Sequence, residues 1–378
     1  MTDTHADRFD LAIVGAGIAG ASVAFFASAH ARVLLLEGEA QPGHHSTGRS
    51  AAMFMESYGP PQVRALTRAS RDFLEHPPAG FCDVPLLHPR GALYVAGAAH
   101  VAEARALHDA LRRDGCPAQW LDAAQAITRV PVLRPEASAA AVFDPLAADL
   151  DVDALHQGFL RGARAHGARL VCGAPVDALQ RDAGGWRIDT GAHRWHASVV
   201  VDAAGAWVDE VAALAGVAPI GIEPRRRTAF VFAPPDGVDA RGWPCVAAVD
   251  EGWYFKPDAG LLLGSPANAD PVAPHDVLPE ELDVALGIHR IEQATTLTIR
   301  RPRRTWAGLR SFVADGEPVG GFDPLAPGFF WVAALGGYGI QTAAAMGATC
   351  AALLTGRPLP DAVVREGIDA HALRVRRA

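Results

Sequence analysis

The sequence predicts an α/β fold, α+β overall: a discontinuous Rossmann-like nucleotide-binding domain with a second domain, built on a mainly antiparallel sheet, inserted between its pieces. Three observations predict it. Leu11 to Glu37, LAIVGAGIAGASVAFFASAHARVLLLE, reads as strand, glycine turn, helix and strand. Two more strand–glycine–helix transitions follow far downstream, at Ser198 to Leu214 and at Gly328 to Leu354. Between them lie clustered short strand signals rather than a βαβ rhythm.

In the first unit, Leu11 to Val14 precedes Gly15-x-Gly17-x-x-Gly20, with Ile18 and Ala19 opening the helix. Gly15 permits the tight turn, Gly17 lets backbone approach a pyrophosphate, and Gly20 lets helix and strand pack closely. The helix N-terminus offers free N–H groups to phosphate. Glu37 ends the second strand, Arg32 to Leu36, about twenty residues beyond Gly15, and is placed to accept from a ribose. An acid there argues against a 2′-phosphate, leaving FAD or NAD. Leu11 to Ala29 carries no charge and could pass for a signal peptide or membrane span. A signal peptide wants a basic start, whereas Asp3, Asp7 and Asp10 outnumber Arg8.

Further along, helical periodicity covers Gln62 to Glu75, His100 to Asp114, Asp153 to His166 and Pro279 to Gln293. Pro85 to Ala96, Arg225 to Ala233, Gly252 to Lys256 and Leu261 to Gly264 read as strands. The middle transition runs Ala203-Ala204-Gly205 into a helix from about Trp207, and the last runs Gly336-Gly337-Tyr338-Gly339 into a long apolar helix. The expected nucleotide domain is therefore 8–82, 150–215 and 320–378, and the substrate domain 83–149 and 216–319.

At 378 residues, half of them hydrophobic and a fifth charged, the chain can bury a large core. A net charge of −8 gives no footprint for nucleic acid. Five scattered cysteines without a CxxC pair argue against a disulfide framework or metal site and fit a reducing cytoplasm. No other segment is long and apolar enough to span a bilayer.

The run GAGIAGASVAFFASAHARVLLLEGEAQPGHHSTGRSAA, then VVVDAAGAWVDEVAALAGV, WAGLRSFVADGEPVGG and GFFWVAALGGYGIQTAAAMG, resembles the D-amino-acid oxidase superfamily of FAD enzymes. Within it, the chain is similar to bacterial D-arginine dehydrogenase. The resemblance implies FAD rather than NAD, and a D-amino acid dehydrogenase passing hydride from substrate Cα to the flavin. The imino acid formed would hydrolyse to a 2-oxo acid and ammonia. Gly15, Gly17, Gly20 and Glu37 would hold the adenosine diphosphate, with Val176 giving adenine a backbone contact. Ser46, Thr47, Arg49, Ser50, Ala51 and Ala52 would line the route to the isoalloxazine. Ala204, Gly205, Trp207 and Gly308 would follow, with Gly337, Gly339, Ile340 and Gln341 near flavin O2. Where some relatives attach flavin through cysteine, this chain reads Trp306-Ala307-Gly308, implying non-covalent FAD.

An amino acid must have its carboxylate clamped, and a guanidinium does so with a bidentate fork. Arg310, flanked by apolar Leu309 and Phe312, is the first candidate. Arg227 is the second by the resemblance, with Tyr58 and Tyr254 supplying hydroxyls. Arg225, Arg226, Arg300, Arg301, Arg303 and Arg304 read as ordinary solvated charges. Met53, Ala92, Cys245, Ala247 and Gly337 are the expected substrate pocket. The D-arginine enzymes carry a glutamate where Ala92 stands and a histidine at Met53. Both changes favour apolar side chains, because a buried guanidinium without a partner costs several kcal/mol. Glu56 and His88 are the nearest replacement polar groups. The competing readings are an N-methyl amino acid oxidase, a 2-hydroxy acid dehydrogenase, or a non-catalytic FAD-binding subunit. The electron acceptor stays open, a quinone or respiratory component being one option. The expected location is cytoplasmic, with peripheral attachment to the inner membrane as a variant.

Overall fold

The computed structural model describes residues 8–377; Asp3, Asp7 and Ala378 lie outside them. Two large sheets meet across a cleft. The eight-stranded sheet has a parallel centre of Phe329–Ala333, His193–Asp202, Arg8–Val14, Val33–Leu36 and Arg169–Val171. Its registers align Val14 with Asp202 and Asp202 with Trp331. Three strands therefore end at one edge, and the three glycine loops that sequence reading found separately converge there. The antiparallel hairpin Ala178–Asp182 and Gly185–Thr190 extends this sheet and was not expected. Gly185–Thr190 alternates buried Trp186, Ile188 and Thr190 with more exposed residues, a period-two signal that sequence reading passed over, while Ala178–Asp182 ends in polar residues and shows none.

Glycines set how tightly the layers close. The helices Ile18–Ser28 and Ala343–Thr355 cross where a side chain on Gly347 would lie 2.7 Å from Ser22 Cβ. On the helix Val152–Ala165, Gly162 leaves room for the Phe25 ring, which meets Phe81 and Phe159 at 5.4 and 5.5 Å. Each such aromatic pair adds about 0.5–1.5 kcal/mol beyond its burial.

The nine-stranded sheet is antiparallel apart from the pairing of Ala92–Ala96 with Cys245–Ala248. Its residues alternate between faces. Leu93, Val95, Val246, Phe255, Leu262, Phe230 and Phe232 point into one apolar core, partly covered by the helix Glu281–Ala294. The opposite face carries Ala92, Tyr94, Ala247, Tyr254, Lys256, Arg227, Ala229, Gly308 and Arg310, as the registers require. Every catalytic residue expected from this sheet is thus on one face.

Two expectations need correction. Pro85 to Ala96 is not one strand. Leu87–Pro89 pairs into a small three-stranded sheet with Met53–Phe54 and Ala148–Leu150, while Ala92–Ala96 joins the large sheet. The break falls at Gly91, whose φ is +74° and whose missing side chain is replaced by the Phe143 ring. Arg226 is not solvated either. Only 8% exposed, it faces away from Arg227 and pairs with Asp283 at 2.9 Å and with Glu280. Arg300, Arg301, Arg303 and Arg304 are exposed, and Arg225 lies over the Phe312 ring at 5.0 Å.

Candidate active site

The cleft between the sheets has a volume of about 670 Å³, within the range of cofactor pockets. At one end Gly15 (φ +97°) packs so tightly that a Cβ would lie 2.6 Å from the Ala203 carbonyl. Gly20, beneath, abuts the Gly15 carbonyl and belongs to the helix packing rather than the cleft wall. Glu37 faces the cleft, its two oxygens accepting from Ala16 N at 2.9 Å and Glu39 N at 3.0 Å. Thr47 Oγ1 already accepts from Ile18 N at 3.0 Å, so this helix N–H is not free for phosphate. Val176 lines the cleft from the loop after Arg169–Val171 rather than from a strand. Ala19, Gly17, Ile18, Ala204, Gly205 and Trp207 also line it.

Sequence reading missed His156, whose Nε2–H donates to the Ala16 carbonyl at 2.8 Å and braces the glycine turn from below. Burial pushes its pKa below the ordinary histidine value. A histidine on a helix gave no signal that it would reach this turn.

Ser46, Thr47, Arg49, Ser50 and Ala51 line the middle of the cleft. Ser46 Oγ donates to the Leu309 carbonyl at 2.7 Å, and Arg49 donates to the Val277 and Ala307 carbonyls at 3.0 and 3.2 Å. Arg49 also pairs with Asp276, so this segment ties one sheet to the other. Glu39, His44 and His45 come within 4.8 Å of one another at the mouth, a metal-capable grouping that the sequence did not suggest. Their contacts are already taken: His45 by Glu39 at 2.9 Å and His44 by Asp276 at 3.4 Å.

Arg310, Arg227, Tyr254, Gly308, Gly337, Gly339 and Ile340 line the far end. Arg310 Nη1 donates to Tyr58 Oη at 3.0 Å, and Arg227 Nε donates to the Asn268 carbonyl at 2.6 Å. Among the described residues neither guanidinium pairs with a carboxylate. Burial works against the Arg310 charge, but the Tyr58 and Tyr254 hydroxyls outweigh it and hold its pKa above the usual value. For Arg227, burial first and the Arg310 charge second lower the pKa. Two half-buried cations facing one space form an anion site.

Tyr338 was overlooked among its glycines. Its ring packs on Tyr58 at 5.0 Å and Phe312 at 6.5 Å, and burial pushes its hydroxyl pKa up. Tyr94, the remaining tyrosine of four, bonds Ser57 Oγ at 2.7 Å.

Several expected residues are not on the cleft wall. Ala92 (0% exposed) and Cys245 (3%) are packed inside the sheet's site-side layer. Met53, Ala247 and Tyr58 sit together in one apolar cluster off the cleft wall, Tyr58 reaching the site only through its bond to Arg310. Gln341 is buried in the protein interior, donating to the Met55 carbonyl and to Thr67 Oγ1 and accepting from Met55 N. Ala52 holds a left-handed turn (φ 59°) and gives its carbonyl to Leu150 N, off the wall. Glu56 is taken by Arg71 at 2.5 Å and His88 is exposed, so neither supplies a polar end to a substrate pocket. None of the five cysteines lines the cleft.

Comparison with known proteins places this geometry. The DAO family, described as FAD dependent oxidoreductase, matches residues 10–353. The glycine oxidase of Geobacillus kaustophilus is 28% identical over 344 residues, 86% of this chain and 87% of that protein. The N-methyl-L-tryptophan oxidase of Salmonella arizonae is 29% identical over 242 residues, 61% of this chain and 60% of that protein. The crystal structure of the Geobacillus kaustophilus glycine oxidase superposes with a TM-score of 0.83 at 24% identity, covering 98% of this chain and 99% of that one. The α/β expectation holds, as does FAD as cofactor; the likeness is to the superfamily rather than to D-arginine dehydrogenase in particular.

Proposed function

The chain belongs to the DAO family of FAD-dependent oxidoreductases, and from that premise we propose that it is a D-amino acid dehydrogenase that clamps its substrate's carboxylate with Arg310 and Arg227. The observation that carries this reading is the pair of half-buried guanidiniums, without carboxylate partners among the described residues, at the end of the cleft away from the glycine turn. The residues present fit FAD. The glycine turn and Glu37 suit the adenosine diphosphate, and Gly308, Gly337 and Gly339 line the Arg310 end of the same continuous cleft. FAD, when bound, supplies the acceptor for the hydride that leaves Cα.

The protein's part is positioning. The guanidinium forks fix the carboxylate, and Tyr58 holds Arg310 in place. Tyr254 offers a hydroxyl on the substrate side, where a water can take the amine proton. The imino acid then leaves and hydrolyses to a 2-oxo acid and ammonia. Among the described residues no carboxylate lines the Arg310 end, the nearest acid in charge reach of Arg227 and Tyr338 being Glu251 off the wall, and Met53, Met55 and Ala247 form the apolar layer behind it. Apolar D-amino acids should therefore be preferred to D-arginine. The same reading divides the chain into a cofactor part, 8–82, 150–215 and 320–378, and a substrate part, 83–149 and 216–319. No helix among the described residues is long and apolar enough to cross a membrane. The electron acceptor is left to experiment, with a quinone or respiratory carrier as the first to try.

A second reading, oxidation of glycine or an N-methyl amino acid, is favoured by the likeness to a glycine oxidase and an N-methyl-L-tryptophan oxidase. The same carboxylate clamp serves it. Anaerobic mixing of the FAD-loaded enzyme with D- and L-amino acids, glycine and sarcosine separates the two. Flavin bleaching by D-leucine or D-methionine supports the first reading, and bleaching by glycine or sarcosine alone establishes the second.

A further inference from the structure

Lys256 is the only lysine in the 378-residue chain. Its side chain is 3% exposed, an uncommon place for a lysine. Nζ donates to Asp149 Oδ1 at 2.7 Å. Asp149 Oδ2 accepts from Arg90 Nε at 2.7 Å and from Nη2 at 2.6 Å. Arg90 in turn donates to the Arg241 and Trp243 carbonyls at 2.6 and 3.1 Å. The three charges form one nearly buried unit in which a compact ammonium, not a planar fork, fills the third corner.

What the unit joins gives it a role. Lys256 lies two residues beyond Tyr254 on the strand Tyr254–Asp258, on the same face. Asp149 belongs to the three-stranded sheet, directly paired with Met53. Five residues after Met53 the chain reaches Tyr58, which holds Arg310. The contact is therefore a bridge between the two pieces of chain that carry the tyrosines flanking Arg310. That bridge is an ion pair in a low-dielectric layer, where geometry is held more stiffly than at a wet surface.

We propose that Lys256 is a positioning residue: through Asp149 it holds the Met53 sheet against the Tyr254 strand and so sets the spacing of Tyr58 and Tyr254 across Arg310. This rests on the reading that the Arg310 end binds the substrate. Removing Lys256 leaves Asp149 and Arg90 as a balanced pair, so no uncompensated charge is created.

The test uses FAD-loaded Lys256→Met, Tyr254→Phe and the double variant, with the amino acid that bleaches wild-type flavin in the anaerobic panel. Lys256→Met should keep its flavin and its reduction by dithionite. Its kcat/KM should fall by roughly tenfold or more, chiefly through KM. In the Tyr254→Phe background the same change should cost less than about threefold, because residues acting as one unit are not additive. Lys256→Gln, which can still donate to Asp149, should recover most of the loss, and Lys256→Leu takes the methionine variant's place in the cycle if that variant does not hold flavin. Equal losses in both backgrounds, or a lowered melting temperature with unchanged kinetics, would overturn the proposal. If no amino or N-methyl amino acid bleaches the wild type, the functional reading fails instead, before any variant is compared.

Discussion

Arg310 donates to Tyr58 at 3.0 Å across a sequence separation of 252 residues. The bond joins the large sheet to the segment that follows the small one, so the clamp is complete only when the distant parts of the fold have docked. It uses one of the five N–H groups of the guanidinium and leaves the rest of the fork for a ligand. A surface arginine could swing to accept a carboxylate; this one is held in advance, which reduces the ordering cost of binding.

Arg310→Ala should therefore abolish most activity while FAD stays bound. Losing one partner of a buried charge pair costs about 2–5 kcal/mol. In kcat/KM that is roughly thirtyfold to several thousandfold. Arg310→Lys should recover little, since a point charge does not reproduce the fork. Steady-state kinetics with flavin content measured alongside checks this, and near-wild-type kinetics in the alanine variant would move the clamp to Arg227.

Gly337→Ala is a gentler probe of the same group. A Cβ there would lie 2.7 Å from Arg310 Nη1 and 2.8 Å from Cζ, too close for the guanidinium to stay. A displacement of about 1 Å can cost on the order of a hundredfold. KM should rise at least tenfold, with little change in melting temperature. Unchanged KM would mean that the fork has room to slide and that its observed position is not the binding one.

The parallel half of the fold was legible because each of its three strand–glycine–helix units is a local pattern with a fixed physical reason. The long stretches from Gly20 to Gly205 and from Gly205 to Gly336 do not hide such units. Arg310, Arg227, Tyr254 and Gly337 also came from local context joined to a resemblance. What was hidden depends on register. Lys256, Asp149 and Arg90 form one cluster only because the small sheet docks against the face of the large one, with Arg90 in the link between them. Ala92 and Cys245 were placed in the pocket on one-dimensional likeness, yet the pleat packs both into the sheet layer. Arg226 and Arg227 differ by one residue and therefore by one face, which composition cannot distinguish.

Acid should loosen the nucleotide end through His156. Burial lowers its folded-state pKa below the unfolded value of about 6.5. The unfolded chain then binds more protons than the native one as the pH falls, so this contribution is present above about pH 6.5 and is lost below it. The Ala16 carbonyl by itself favours the charged ring, but burial outweighs it. Melting temperature and flavin retention, measured from pH 8 down to pH 5, should both fall through the lower part of that range. His156→Gln, which can still donate to Ala16, should flatten the dependence. An unchanged slope would assign the acid sensitivity to other groups.

FAD should be released intact by acid or heat, because no cysteine lines the cleft and Trp306-Ala307-Gly308 offers no nucleophile. The supernatant after precipitation should carry all the yellow colour and co-migrate with authentic FAD. Colour that stays with the pellet would refute non-covalent attachment.

Ala92→Glu separates a pocket from a packed layer. If position 92 opened to substrate, the new carboxylate would pair with a guanidinium and shift preference toward D-arginine. The structure gives it no such opening: Ala92 is 0% exposed and pairs with Asp144, itself 0% exposed and carrying an oxygen without a hydrogen-bond partner. Overpacking there costs about 1–3 kcal/mol. A second carboxylate beside Asp144 adds the cost of burying like charges, relieved only if one group is protonated. The variant should lose melting temperature and yield while the wild-type preference for D-leucine over D-arginine stays within a few-fold. Comparing wild type and variant on both substrates, at fixed pH and salt, decides it. A stable variant with a large gain in D-arginine turnover would restore Ala92 to the pocket.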